Sequence, residues 1–162
     1  MNGGLAADAR LVAEILAAAE GEALRSGARH VGAEHILIGC LTASDSSARA
    51  ALAADRVDDR AVRAALARVL DRAVLLASVD PIVDVDDPDF MDDGTPTLSV
   101  DASAVLARAR VLSRSHRPRG LQSADVLVAV AEQRDGVAAE VLDDLRVDRQ
   151  RLFDFRDWAA GR

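Results

Sequence analysis

The residues best able to do chemistry stand in the stretch HVGAEHILIG, residues 30 to 39. His30, Glu34 and His35 lie close together there, and imidazole and carboxylate groups serve as zinc ligands and general bases. A zincin-type H-E-x-x-H motif sets both histidines on one helical face. Here the histidines are five apart and Gly32 intervenes, so His30 falls in the turn before a helix that the apolar run begins. A third ligand would have to be His116 or a carboxylate, and no spacing suggests it. The pattern predicts a helix start instead. Glu34 favours the positive end of the helix, and His35 packs or caps locally. Cys40 falls on the apolar stripe of Ile36, Leu37, Cys40 and Leu41, with no base at a useful spacing, and reads as a small buried hydrophobe. Asp143 and Asp144 read as an exposed face without chemistry. No metal, cofactor or catalytic residue is assigned.

The elements that hold these residues follow from periodicity. Positions 5, 9, 12, 16, 19 and 23 carry apolar or small residues at helical spacing. The glycines of RSGARHVG break that pattern before the stripe at 36 to 41. SDSS offers cap oxygens for a third helix to about Ala54. Asp58 caps a fourth, with Val62, Leu66, Val69, Ala73 and Leu76 on one face. Residues 78 to 97, with three prolines and a glycine, read as a linker or surface loop.

Composition narrows the class. Half of the 162 residues are apolar but only 2% are aromatic, so the core is built from Ala, Val, Leu and Ile, which suits packed helices. The expected class is all-α. No apolar run is long enough to cross a membrane, and charges at Asp8, Arg10 and Glu14 argue against a signal peptide. One cysteine excludes an internal disulfide and fits a reducing cytoplasm. The net charge of −7 is local: residues 80 to 93 hold seven Asp and no Arg, which leaves 27 − 7 = 20 acids against 20 arginines elsewhere. A neutral body disfavours nucleic acid as a partner. The arginine-rich stretch RARVLSRSHRPRG, residues 108 to 120, lacks interleaved aromatics for base stacking. It reads as a solvated face, screened by the acidic stretch, or as a site for phosphate-bearing partners.

The chain also repeats. Shifted by 90, residues 29 to 58 lie on residues 119 to 148 without a gap, sharing Leu37/Leu127, Asp45/Asp135, Leu52/Leu142 and the RVD of 56 to 58 and 146 to 148. This predicts two four-helix units that pack on each other. In that register Ser123 supplies a cap oxygen where Ala33 has none.

GARHVGAEHILIGCL and ARAALAADRVDDRAVRAAL resemble the first repeat of the N-terminal domain of Clp (Hsp100) unfoldases. GVAAEVLDDLRVDRQRL resembles the second. The resemblance implies two pseudo-symmetric four-helix bundles in one Clp N-like domain over 1-162: repeat one at 5-77, the acidic linker at 78-97 and repeat two at 98-159. The chain resembles the N-domain of actinobacterial ClpC-type proteins. The chain has no lysine and hence no G-x-x-x-x-G-K-[ST] phosphate loop, so it looks like a free-standing Clp N-domain without the ATPase.

What the resemblance implies for function is binding. In some Clp N-domains a Glu holds the guanidinium of phosphoarginine and a Thr helps with the phosphate. The Glu falls on Glu34 and Ala124, the Thr on Ala9 and Ser99. Each repeat keeps half of the pocket and neither keeps both halves, so phosphoarginine recognition is not expected, although Glu34 and Ser99 stay candidate ligand residues. The family's site for cyclic-peptide antibiotics, near the first helix, falls on Leu98 and carries no aromatic here. The expected role is a non-enzymatic, cytoplasmic, monomeric module that recognises or sequesters a substrate, adaptor or peptide inhibitor of a ClpC-type unfoldase. The alternative is a regulatory subunit docking on the unfoldase itself.

Overall fold

The structure, a computed structural model, describes residues 3–77, 95–114 and 120–160. The acidic stretch at 80 to 93 and His116 lie outside the described residues. The first repeat holds α1 (Gly3–Ser26), β1 (His30–Val31), α2 (Ala33–Thr42), α3 (Ser47–Leu52) followed by a 3-10 turn, and α4 (Asp59–Ala77). The second holds β2 (Thr97–Leu98), α5 (Val100–Ser113), α6 (Ser123–Ala131), α7 (Val137–Asp144) and α8 (Arg149–Ala160). The fold is all-α apart from one two-residue strand pair. Three helix starts, at 33/123, 47/137 and 59/149, keep the offset of 90. So do two left-handed backbone positions, Ser46 and Gly136 (φ 58° and 92°) and Arg56 and Arg146 (φ 56° and 54°).

The two helices at the centre are α2 and α6. Both are apolar almost all round, and a helix of that kind must be covered on every side. Residues 35 to 41 and 123 to 131 are buried throughout. The narrow stripe expected on α2 is therefore a whole buried cylinder. Helix α1 crosses it closely at Gly39, where a Cβ would lie 2.5 Å from the Ile15 carbonyl oxygen. Only glycine permits that approach. The side of α1 that packs is Leu11, Ile15, Ala19 and Ala23. Of the expected face at 5, 9, 12, 16, 19 and 23, Ala19 and Ala23 are buried as expected and Val12 and Leu16 pack partly against the core, but the N-terminal half is rotated and Leu5 is 78% exposed. Glu22, also buried on α1, accepts from Arg63 of α4 at 2.7 and 3.0 Å and from Arg25 at 2.9 Å.

Several sequence expectations are corrected by tertiary contacts. Val62, Leu66 and Val69 of α4 are buried as expected, but Ala73 and Leu76 are exposed because the last turns of α4 run beyond the body. Thr97, the last residue of the stretch read as linker, opens β2. Asp58 caps α4 through the Ala61 N–H at 2.7 Å, as expected. Ser123 does not cap its own helix, whose N-cap is Gln122. Its hydroxyl accepts instead from the Ala48 N–H of α3 (3.1 Å), while the Ser47 hydroxyl accepts from the Ala124 N–H of α6 (2.9 Å). Each repeat thus caps a helix of the other. Asp45 closes this knot by accepting from the Ser123 N–H (2.8 Å) and its hydroxyl.

Candidate functional site

Strands β1 and β2 pair in parallel, with Val31 opposite Leu98, and the Ser99 N–H donates to the Val31 carbonyl at 3.0 Å. Both strands run directly into helices. The caps of α2 and α5, Gly32 and Ser99, are the next residues on the two strands. Glu34, in the first turn of α2, and Ser99, at the cap of α5, therefore leave from adjacent backbones. Glu34 of repeat one thus lies three residues past Val31, and Ser99 of repeat two one residue past Leu98, on the two paired strands' exits.

The local geometry explains each side chain at this corner. His35 is buried, and its Nδ1 accepts from the Gly32 N–H at 2.9 Å. The Ser26 hydroxyl donates to the Ala23 carbonyl, so at 3.2 Å it accepts from His35 Nε2–H. Both ring nitrogens are thereby engaged, and burial lowers the imidazole pKa against the opposing pull of Glu34 and Glu22. His35 is a cap, as the sequence suggests, and its counterpart Asp125 does the same by accepting from the Gln122 N–H at 3.0 Å. His30 turns the other way and bonds Thr97 Oγ1 at 2.7 Å. The Glu34 carboxylate folds back over Gly32, where a Cβ would overlap it, and lies 3.3 Å from His35 Nδ1. The Ser99 hydroxyl accepts from the Ala102 N–H at 3.1 Å and keeps its own proton to donate. Leu98 and Val100 flank it, 40% and 85% exposed.

The chemistry available here is binding. Glu34 offers a carboxylate for a cation. The hydroxyl of Ser99 and the opening amides of α5 offer donors for an anion. His30, Glu34 and His35 do not converge, and among the described residues no group of three His, Cys, Asp or Glu could hold a metal ion. The Cys40 thiol is buried, donates to the Leu37 carbonyl at 3.0 Å and has its pKa pushed well up by desolvation.

A second corner is related to the first by the offset of 90. Leu121 takes the place of Val31 and Asp8 the place of Leu98. No strand forms; the Leu121 N–H donates to Asp8 Oδ1 at 2.8 Å. Ala9 and Ala124, the two residues with which the family pocket is lost, belong to this corner. Beside it a cleft of about 470 Å³ opens between the start of α1 and the end of α5, with Leu98 absent from its walls.

No signal in the residues pointed to the strand pair, because two-residue strands 67 positions apart leave no periodicity. Sequence reasoning also missed Asp144, which is not a free surface acid. Arg68 of α4 donates to it twice, at 2.6 and 3.0 Å, and the pair lowers its pKa. Arg151 reaches Asp55 in the same way, at 2.6 Å, so charge as well as packing joins the repeats. Within the arginine-rich stretch, Arg108 is taken by Glu132 at 2.7 Å. No described helix is long and apolar enough to cross a membrane.

The family model described as the Clp repeat (R) N-terminal domain matches residues 10–145. No curated protein matches the chain.

Proposed function

From its membership of the Clp repeat N-terminal domain family, an interaction domain of the Clp system, we propose that this chain is a non-enzymatic module that recognises or sequesters a substrate, adaptor or peptide ligand of a ClpC-type unfoldase. It acts as a cytoplasmic monomer. The observation that carries the reading is the cross-repeat corner, where the backbone of Ser99 bonds that of Val31 and Glu34 stands in the first turn of the helix that follows Val31. A phosphoguanidine, such as phosphoarginine on a protein marked for degradation, matches that pair: guanidinium to Glu34, phosphate to Ser99 and the amides of α5. Leu98 and Val100 supply apolar contact for the neighbouring residues of the ligand, or for an apolar cyclic peptide. In this role the domain withholds a ligand from the unfoldase.

A second reading, docking on the unfoldase itself, draws on the end of α4, where Leu75 and Leu76 are 69% and 71% exposed. One assay separates the two. Added protein should slow degradation of an arginine-phosphorylated substrate by a ClpC-type protease in proportion to its concentration. Excess substrate should relieve the inhibition, and Glu34→Gln should weaken it. Inhibition that excess substrate does not relieve, and that the variant retains, would favour docking and contradict the decoy reading.

A further inference from the structure

We propose that the cleft at the second corner is a separate site, which takes an acidic peptide segment bearing an apolar side chain. Its floor is apolar: Leu5, Ala9, Val12 and Leu121 line it. Leu5 and Val12 continue the apolar side of α1 beyond the part that α2 covers. The volume, about 470 Å³, lies in the range of sites that hold small ligands and side chains. Its rim is cationic. Arg110 and Arg114 stand one turn apart on the last turns of α5 and line the cleft. Neither has an ion-pair partner among the described residues, whereas Arg108 on the same helix is locked to Glu132.

The one acid of the lining, Asp8, offsets one of their two charges but forms no ion pair with either arginine among the described residues. Asp8 directs Oδ1 to the Leu121 N–H, and Gly120, at φ +78°, passes so close that a Cβ would lie 2.5 Å from the same oxygen. The backbones of Arg110 and Arg114 are about 6 Å apart along the helix, a spacing from which both can reach carboxylates on alternate residues of an extended segment, about 6.6 Å apart along the chain. Arginine prefers such planar, bidentate anions. No aromatic side chain lines the cleft, so nucleobases find no stacking partner. The site is about 20 Å from Ser99 by the rise of α5 and does not depend on the phosphoarginine reading.

The test uses the whole chain and fluorescence anisotropy with a labelled Gly-Ser-Glu-Leu-Glu-Ser-Gly peptide, beside its Gln-Leu-Gln counterpart. Binding is expected at a Kd of about 100 µM or tighter in low salt. It should weaken at least about tenfold for the Gln peptide and in Arg110→Glu/Arg114→Glu, fall with added salt and stay unchanged in Glu34→Gln. Both arginines are exposed, so circular dichroism should report an unaltered fold. No binding at about 1 mM, or equal binding of the Gln peptide, would overturn the proposal.

Discussion

The two corners are built on one plan and offer opposite charge. At the first, Val31 pairs with Leu98 through backbone hydrogen bonds, and the next residues begin α2 and α5. At the second, Leu121 meets Asp8, and a carboxylate does the work of the missing strand partner. His30 at the first corner becomes Gly120 at the second, in a left-handed conformation that brings the chain onto Asp8. Glu34 and Ser99 give the first corner a carboxylate and a hydroxyl, while the second has Ala124 and Ala9 at those two places. What the second has instead is Arg110 and Arg114. The backbone of the repeat is held by burial and caps, which tolerate little change. The side chains at the rims differ where the buried framework does not.

The comparison breaks most visibly in the packing beneath it. Gly39→Ala should cost about 3 kcal/mol, because the added methyl meets backbone of α1 that cannot turn away. The counterpart change Ala129→Gly should cost only about 1 kcal/mol, the helix-propensity term. Urea unfolding measures both, and equal costs would mean that the repeats pack alike at this crossing. Ser123→Ala removes the cap of α3 and leaves Asp45 short of a partner, for an expected loss of about 2 kcal/mol. Restoring the wild-type midpoint with the hydroxyl gone would contradict the cross-capping account.

A smaller effect distinguishes the corners themselves. Gly120→Ala should cost about 1–2 kcal/mol through its positive φ. His30→Ala, at the same place in the repeat, should cost about 0.5 kcal/mol for an exposed hydrogen bond. The smallest effect is one of pH. The His35 pKa is lowered in the folded protein, so between that value and the unfolded value near 6.5 the unfolded chain binds the extra proton. The contribution of neutral His35 is therefore complete above about pH 6.5 and is lost as pH falls through the folded pKa. His35→Asn, which keeps an acceptor for the Gly32 N–H, should flatten the stability profile in that window. An unchanged profile would mean that another group carries it.

Much of this was legible in advance. Helical periodicity, the offset of 90 and the cap at Asp58 follow from local rules, and the structure has them. So does His35, since a polar residue three places past a glycine at a helix start has a backbone amide to accept from. What escaped depends on contacts between distant segments. Ser123 caps a helix 75 residues away. Asp144 is held by α4. The rotation of the α1 face is set by where α2 lies. The pocket halves were paired by repeat because sequence order suggests it; a two-residue parallel strand pair joins them differently.

The central claim is that Glu34 and Ser99 act together across the repeats. Calorimetry of the whole chain with free phosphoarginine tests it most directly. A charge-assisted hydrogen bond contributes about 1.5–3 kcal/mol, or roughly 10- to 100-fold in affinity. The account predicts binding with a Kd below about 1 mM, weakened by that factor in Glu34→Gln, reduced in Ser99→Ala and unaffected by Arg110→Glu. Heat no greater than dilution, or binding that survives Glu34→Gln undiminished, would contradict it.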